Sequence, residues 1–390
     1  MSKNVELFDN WLRTSFVEMN TELEETYFAQ QDRQAVIGVG DSIKETLVEE
    51  GNSHIIPLLK EGNTDEGFEN QYSLLGCVGF FMASCRRHEI TEPSRETTSP
   101  LVEASALALH LATTLGVTPR FATGHMSIAN PAKEGVYRTF TSLKDEVLFL
   151  DYNTLGIFAY QRASEALRRI LPMGISHPLT RYLFDDAKTA LEDVIRYNDC
   201  LFDELDTDRF FNSVRPYYKP YRVGPNVYRG ANAGDFAGIN IIDLLLGLCS
   251  ADNPSYSQVM IDKFLFMLPV EQELLRDCMR RKSFMDQFLE EMDDNSDKEW
   301  FINNLNSYLK VVDIHGQSAA SHHDKLVEKF IAGPAADLPE DGLVNITASG
   351  PPLPVLLDAL EKLRDLRLAA DRDDIPSRHH DLQKLKACLL

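Results

Sequence analysis

Apolar residues recur every three or four positions along most of this 390-residue chain. That spacing puts apolar side chains on one face of an α-helix, whereas the alternation typical of a half-buried strand does not rise above background. A shorter helix that begins near Ser42 is expected to close at Gly51. Longer helices are expected at about 5–30, 72–90, 145–172, 179–205 and 296–331. The sequence therefore predicts an all-α fold.

A segment rich in proline and glycine, 117–140, separates two helical parts of the chain, and 44% hydrophobic residues are enough for a large core. Such segments interrupt helices and often connect domains. We therefore expect a small N-terminal helical domain at 1–125 and a large helical domain at 126–390. The long helix at 296–331 is expected to break around Gly316, because glycine weakens a helix interior.

The chain carries 39 basic and 60 acidic residues, a formal net charge of −21 at pH 7. A surface of this sign repels phosphates and anionic lipids, so neither nucleic acid nor a membrane is an expected partner. The first residues lack the apolar stretch of a signal peptide, and no run is long enough to span a bilayer. Six scattered cysteines form no CxxC pair, which fits a reducing compartment. We expect a cytoplasmic protein.

One histidine stands out in the segment QSAASHHDKLVEKFI at 317–331. On a helix, His323 shares a face with Val327 one turn later and with Ala319 one turn earlier. A histidine on an apolar face beside small residues can approach a flat macrocycle, and neutral imidazole is a common axial ligand of heme iron. The alternative is a core histidine satisfied by a neighbour. His322 points about 100° away and is expected to be solvated or to support the ligand.

An arginine among aromatic residues lies in the segment 209–240, a long connection of the kind that is often functional. Arg215 follows Phe210 and Phe211 and precedes two tyrosines. Its guanidinium could bind a carboxylate while the rings hold an aromatic body. The alternative is a structural arginine that stacks on the tyrosines.

Two loops rich in small residues could line a ligand. GANAG at 230–234 precedes an apolar helix, and its small residues would let the backbone approach a bound ring closely. TASGPPLP at 347–354 could form a lid over a pocket. The alternatives are an ordinary helix-entry turn and an ordinary loop. The sequence contains no Walker loop, GxSxG or HExxH motif.

Three strings occur in the order and at the spacing of one known family: FFNSVRPYYKPYRVGPNVYRG, AGINIIDLLLGL and HDKLVEKFI. Together they resemble the heme domain of the tryptophan/indoleamine 2,3-dioxygenase superfamily. The similarity is closer still to a bacterial branch that includes monodechloroaminopyrrolnitrin synthase. It covers about residues 70–370 and is strongest over about 205–335.

The resemblance implies an all-helical protein in which a small N-terminal domain caps a large domain that binds heme b. By position, His323 falls on the axial ligand of the iron. Ala233 and Gly234 fall on the small residues that line the heme edge. Ala319 and Val327, which share the apolar face of His323, are expected to contact the cofactor.

The resemblance also implies a substrate site for tryptophan or another indole, with O2 as the second substrate. Arg215 falls on an arginine that faces the substrate carboxylate. Phe210 and Phe211 fall on two phenylalanines, the first of which flanks the indole. Gln161, in the string GIFAYQRASE, falls on the distal helix, where related enzymes carry a serine, and is expected to take part in catalysis.

The sequence departs from the dioxygenases at two places. Ala320 stands where they carry an arginine near a heme propionate, so some other group must meet that propionate; Asp262 resembles the acidic partner of that arginine. In the lid, Ser349 and Gly350 are expected to contact the substrate, but Pro351 replaces a threonine that meets the substrate ammonium. These changes argue against efficient cleavage of plain L-tryptophan.

Four hypotheses for the function follow. The first is an oxygenase that inserts O2 at the C2–C3 bond of tryptophan or a substituted indole. The second is a heme-dependent rearrangement or oxidation of a modified tryptophan, as in the pyrrolnitrin pathway. The third is a non-catalytic heme-binding sensor or carrier, and the fourth is a helical scaffold without heme. The sequence leaves the oligomeric state open.

Overall fold

The computed structural model describes residues 2–62, 67–333 and 353–390, and α-helices dominate these ranges, which confirms the all-α prediction. The α-helices of the N-terminal half are α1 (Lys3–Arg13), α2 (Ser15–Phe28), α3 (Asp41–Glu61), α4 (Phe68–Arg87), α5 (Val102–Leu115), α6 (Thr123–Met126), α7 (Lys144–Ile170) and α8 (Thr180–Glu204). Those that follow are α9 (Thr207–Arg209), α10 (Ala237–Leu246), α11 (Pro254–Phe264), α12 (Pro269–Cys278), α13 (Phe284–Asn295), α14 (Glu299–Ser321), α15 (Leu353–Arg367) and α16 (His379–Ala387).

Shorter elements complete the described chain. Two π-helices are π1 (Phe210–Val214) and π2 (His322–Ala332), and 3₁₀ turns occur at Pro93–Arg95 and Arg215–Tyr218. A hairpin of β1 (Tyr221–Val223) and β2 (Asn226–Tyr228) pairs in antiparallel register. The sequence did not predict this hairpin, because strands of three residues are too short to show alternation.

Local signals explain where several helices begin and end. Ser2, Asn253 and Ser283 cap α1, α11 and α13, since each side chain accepts a hydrogen bond from a backbone N–H of the first turn. α10 ends at Gly247, whose φ of 81° is left-handed and suits glycine. Leu268-Pro269 separates α11 from α12, because proline cannot continue a helix from the preceding turn.

Two helices run through glycines at which the sequence predicted an end or a break, so both of those predictions were wrong. α3 continues through Gly51, where an added Cβ would lie 2.2 Å from the Phe81 ring. α14 continues through Gly316, where an added Cβ would lie 3.0 Å from Leu368. Both glycines therefore serve close packing between helices rather than helix termination.

Buried apolar residues form two main clusters. One runs from Val5 to Ala231 and contains α4, which is buried almost all round, as its apolar sequence predicts. The other runs from Ala159 to Leu385 and centres on α8, which packs along both α7 and α14. The division at 125/126 remains a prediction.

Among the described helices, none is both long and apolar enough to cross a membrane.

Candidate heme site

The iron ligand predicted from sequence lies at the start of π2, where α14 changes its hydrogen-bonding pattern. Single turns of π-helix often occur at functional sites, because the wider turn re-aims side chains. His323 is only 8% exposed, and Val327, on the same segment, is 1% exposed. Ala319 is half-buried on the preceding turn. The buried Ser321 hydroxyl has no hydrogen-bond partner among the described residues.

Two charged side chains approach the Nδ1 atom of His323. The Asp324 carboxylate lies 3.5 Å away, and Nη1 of Arg364, on α15, lies 3.4 Å away. A histidine that binds metal through Nε2 carries its hydrogen on Nδ1 and needs an acceptor there. Asp324 can supply that acceptor, whereas Arg364 is a donor and pairs with Asp365 at 2.8 Å. The hydrogen-bond contact recorded at Nδ1 is with Arg364, so His323 would bind iron through Nε2 only if Asp324 takes the place of Arg364 as its partner.

His322 is half-buried rather than fully solvated. Its pKa is lowered to about 4, because burial disfavours the charged ring and because Arg367, His323 and Lys263 lie close enough to repel a further positive charge. The ring is therefore neutral near pH 7. His322 therefore lies near two cationic side chains, Arg367 and Lys263, and helix spacing alone does not predict this.

An open space borders α7. Gly156 is buried, yet a Cβ added there would meet no atom within 4 Å. The side-chain amide nitrogen of Asn153, one turn earlier, is buried without a partner in the described chain. One turn later, the hydroxyl of Tyr160 lies 2.9 Å from that of Ser318, which joins α7 to α14. This face of α7 thus has both room and an unsatisfied donor for a ligand.

Aromatic residues form a wall beside this face. The Phe149 ring of α7 lies 5.2 Å from that of Phe210 and 5.9 Å from that of Tyr218. Phe210 is 6% exposed and Phe211 is 7% exposed. The Tyr218 hydroxyl is buried and has no partner within the described ranges. The structure therefore brings the predicted substrate residues Phe210 and Phe211 next to the distal helix.

Arg215 lies over the ring of Phe211, with its Cζ atom 5.5 Å from the ring centroid. No residue in the described ranges forms a hydrogen bond or ion pair with the guanidinium group of Arg215. Burial alone lowers its pKa to about 10, so no charged neighbour perturbs the group. A partly buried guanidinium without an anion is costly unless a ligand supplies one. Stacking on tyrosines, the alternative drawn from sequence, is not its contact.

The loop before α10 forms one edge of this region. Ala233 and Gly234 are half-buried, and a Cβ added at Gly234 would lie 3.4 Å from Nζ of Lys263. Arg229 in the same loop pairs with the buried Asp235 at 2.8 Å and stacks on Phe266. Backbone and cations are therefore both close to the predicted heme edge.

A buried ion-pair network lies behind this edge. Arg367 of α15 donates to both carboxylate oxygens of Asp243, at 2.9 and 2.8 Å. Nε2 of His315 lies 2.7 Å from Asp243, and the Tyr256 hydroxyl donates to it at 2.8 Å. Burial opposes ionisation of Asp243, but Arg367 and His315 outweigh it and hold its pKa below the usual range. Asp243 is thus a charged anchor for α15.

Other residues singled out in the sequence have contacts of their own or lie outside the described ranges. Gln161 donates a hydrogen bond to Glu271. Asp262 is exposed and accepts a hydrogen bond from Gln258 at 2.6 Å. Ser349 and Gly350 lie outside the described residues. Sequence reasoning missed Lys263, Asp243 and Arg367, which come from separate helices and share no local motif.

The arrangement fits a heme. A buried imidazole with an acceptor near Nδ1 can bind iron, the space at Gly156 can hold part of a ligand, and unsatisfied polar groups line both. Cations at the 231–234 edge suit the acidic side chains of a porphyrin.

Comparison with known families agrees with this fit. A family model described as monodechloroaminopyrrolnitrin synthase PrnB matches residues 2–389. That family consists of heme-dependent oxidoreductases that act on tryptophan derivatives, within the tryptophan/indoleamine 2,3-dioxygenase-like superfamily. The match spans nearly the whole chain and confirms the resemblance drawn from the sequence. The chain therefore belongs to the monodechloroaminopyrrolnitrin synthase PrnB family.

Proposed function

We propose that this protein binds heme b through His323 and oxidises a tryptophan-type substrate that carries a free carboxylate. The observation that carries the proposal is the partnerless Arg215 guanidinium, enclosed beside Phe210 and Phe211 and next to the open face of α7. A guanidinium binds a carboxylate through two parallel hydrogen bonds, and the phenylalanines would hold an indole. A substrate without a carboxylate would not need the guanidinium, and a substrate without an aromatic ring would not need the phenylalanines.

When bound, heme supplies a redox-active iron that activates O2. The protein's residues would bind and orient the substrate. Arg215 would fix the carboxylate and hence which ring carbon faces the iron. Phe149 and Phe210 would keep water from the indole, and the space at Gly156 would accept a ring substituent. His323 would hold the iron, with Asp324 fixing its tautomer.

Two reactions are compatible with these roles. The first inserts both atoms of O2 at the indole C2–C3 bond. The second rearranges or oxidises a modified tryptophan, as the name of the matched family suggests. The family match over nearly the whole chain favours the second reaction. A role as a non-catalytic heme sensor or carrier is disfavoured, because the family consists of enzymes.

Turnover with isotopically labelled O2 separates these reactions. The protein, reconstituted with hemin and supplied with a reductant, is incubated with L-tryptophan and with ring-substituted tryptophans, in air and without oxygen. Ring cleavage yields a product containing both labelled atoms, whereas rearrangement yields a product without both. The proposal is wrong if no indole gives an O2-dependent product while the heme is fully bound.

A further inference from the structure

An ammonium group without a counter-charge lies at the edge of the candidate heme site. Lys263, near the end of α11, points its Nζ atom at the backbone of Gly234. No described residue accepts a hydrogen bond from this ammonium or forms an ion pair with it. Burial lowers the pKa of Lys263 to about 8, and the nearby Arg367 contributes in the same direction. The group is therefore in an environment that opposes its charge.

The carboxylates near Lys263 are already engaged. Asp235 pairs with Arg229, and Asp243 pairs with Arg367, each at 2.8 Å. Both carboxylates are fully buried, so neither has a free side to turn toward Lys263. The two arginines are correspondingly neutralised by their partners. Lys263 is thus the cation of this edge whose charge is left over.

A ligand could supply the missing anion in two ways, as a heme propionate or as a substrate carboxylate. Arg215 is a second cation whose side chain has no hydrogen-bond or ion-pair partner among the described residues, and no charged group near it perturbs its pKa. Lys263, in contrast, has its Nζ atom 3.4 Å from the position that a Cβ added at Gly234 would take, at the predicted heme edge. Arg215 lies over the Phe211 ring instead, so we assign the two cations to separate anions.

We propose that Lys263 binds a propionate of the heme and does so in place of a cation from the helix of the ligand, where Ala320 has none to offer. This inference rests on the proposed function, since it needs a heme with free propionates. The cation comes from α11, so it anchors the cofactor to a helix that does not carry the ligand. Lys263 is a positioning residue for the heme edge.

The test asks whether the contribution of Lys263 to heme affinity depends on a free heme propionate. Hemin and its propionate dimethyl ester are titrated into the apoprotein and followed by the Soret band. The variants are Lys263→Met, which keeps the apolar stem, and Lys263→Arg, which keeps the charge. Lys188→Met is the matched control, because Lys188 is likewise a half-buried lysine but pairs with Glu192 on α8, far along the chain from the heme edge.

Wild-type protein is expected to bind the ester about tenfold or more weakly than hemin, the loss typical of one charge-assisted hydrogen bond. Lys263→Met is expected to weaken hemin binding by a similar factor, and the ester should then add little further loss. Lys263→Arg should restore most of the affinity, and Lys188→Met should match wild type. Without cofactor, Lys263→Met should be at least as stable as wild type, because it removes a half-buried charge that has no partner among the described residues.

If esterification and Lys263→Met each reduce the affinity by their full factor in combination, the two act independently and the assignment is overturned. Unchanged affinity of Lys263→Met for hemin would also overturn it. A wild-type protein that binds no hemin at all would overturn the heme site itself and the assignment with it. Hemin binding that survives in wild type but is indifferent to esterification would overturn only the role of Lys263.

Discussion

Arg367 and Asp243 form a buried, two-armed ion pair that ties α15 to α10, with donor–acceptor distances of 2.9 and 2.8 Å. The carboxylate is fully buried and also contacts His315, so its charge depends on these two partners. Arg367, which follows the ligand helix in sequence, is therefore engaged by Asp243, and Lys263 is left, among the described residues, as the unpaired cation at the candidate heme edge.

Arg367→Met is expected to lower the free energy of unfolding by about 3–5 kcal/mol, because it leaves the Asp243 carboxylate buried with an incomplete set of partners. Urea denaturation followed by circular dichroism measures this loss. The control is Arg281→Met, which breaks a solvent-exposed ion pair with Asp277 and should cost little stability, because water screens that pair. Equal losses in the two variants would contradict the assigned importance of the buried pair.

His323→Ala is expected to abolish stable heme binding, whereas His322→Ala should retain a Soret band. Only His323 has both a carboxylate near Nδ1 and the position of the axial ligand. His322 is a neutral ring beside cations, and its loss should change the affinity modestly. Absorption spectra of both variants, each titrated with hemin, make the comparison. Loss of the Soret band in His322→Ala alone would exchange the two roles.

Arg215→Met is expected to weaken binding of tryptophan by about 10- to 100-fold, the loss of a charge-assisted hydrogen-bond pair. Tryptamine, which lacks the carboxylate, should bind wild type and variant alike. Spectral titration of the heme protein gives both dissociation constants. Arg276→Met, at an exposed arginine that pairs with Glu273, is the control. If the variant loses tryptamine and tryptophan equally, Arg215 supports the fold rather than the carboxylate.

Much of the helical fold and part of the site could be predicted from local sequence. His323 and Arg215 lie within short strings whose residue types carry their own chemistry, so both could be proposed as site residues from the sequence alone, and their roles remain predictions. Periodicity identified α4, α7 and α8 because their apolar faces repeat over many turns.

The remaining features depend on contacts between distant segments. Gly51 and Gly316 resembled helix ends, but their real constraint is the neighbouring helix that packs against them. Lys263 and Arg367 come from α11 and α15, and nothing in a single sequence indicates that they meet near the ligand. The switch to π2 adds backbone geometry that side-chain spacing does not encode.

Gly156→Leu is expected to fold, since a Cβ there meets no atom within 4 Å, but to exclude bulky indoles from the space beside α7. Hemin affinity and indole affinity should therefore separate, with the larger loss in indole binding. Gly156→Ala is the matched control and should stabilise α7 by about 0.5–1 kcal/mol, because alanine favours a helix interior. Unchanged binding of ring-substituted tryptophans by Gly156→Leu would place the substrate elsewhere.

A buried histidine outside the heme site predicts part of the pH dependence of stability. His125 stacks on Tyr72 with centroids 4.0 Å apart, and its Nδ1 accepts a hydrogen bond from the Ala122 N–H at 3.0 Å. Burial, with repulsion from Arg138, lowers its pKa to about 3 from the 6.5 that is usual for histidine. As the pH falls below 6.5, the unfolded chain takes up a proton that the folded chain refuses. The contribution of His125 is therefore complete above that pH and is lost on acidification.

This loss amounts to about 1.4 kcal/mol per pH unit, which is about 2 kcal/mol between pH 6.5 and about pH 5. His125→Asn keeps an acceptor for the Ala122 N–H but does not titrate in this range. It should be less stable than wild type near pH 7, because it loses the stacked ring, and the difference should shrink by that amount near pH 5. Urea midpoints at several pH values, with the exposed His110→Asn as control, measure the two slopes. Parallel profiles for wild type and His125→Asn would show that His125 accepts its proton in the folded state and that burial does not hold it neutral.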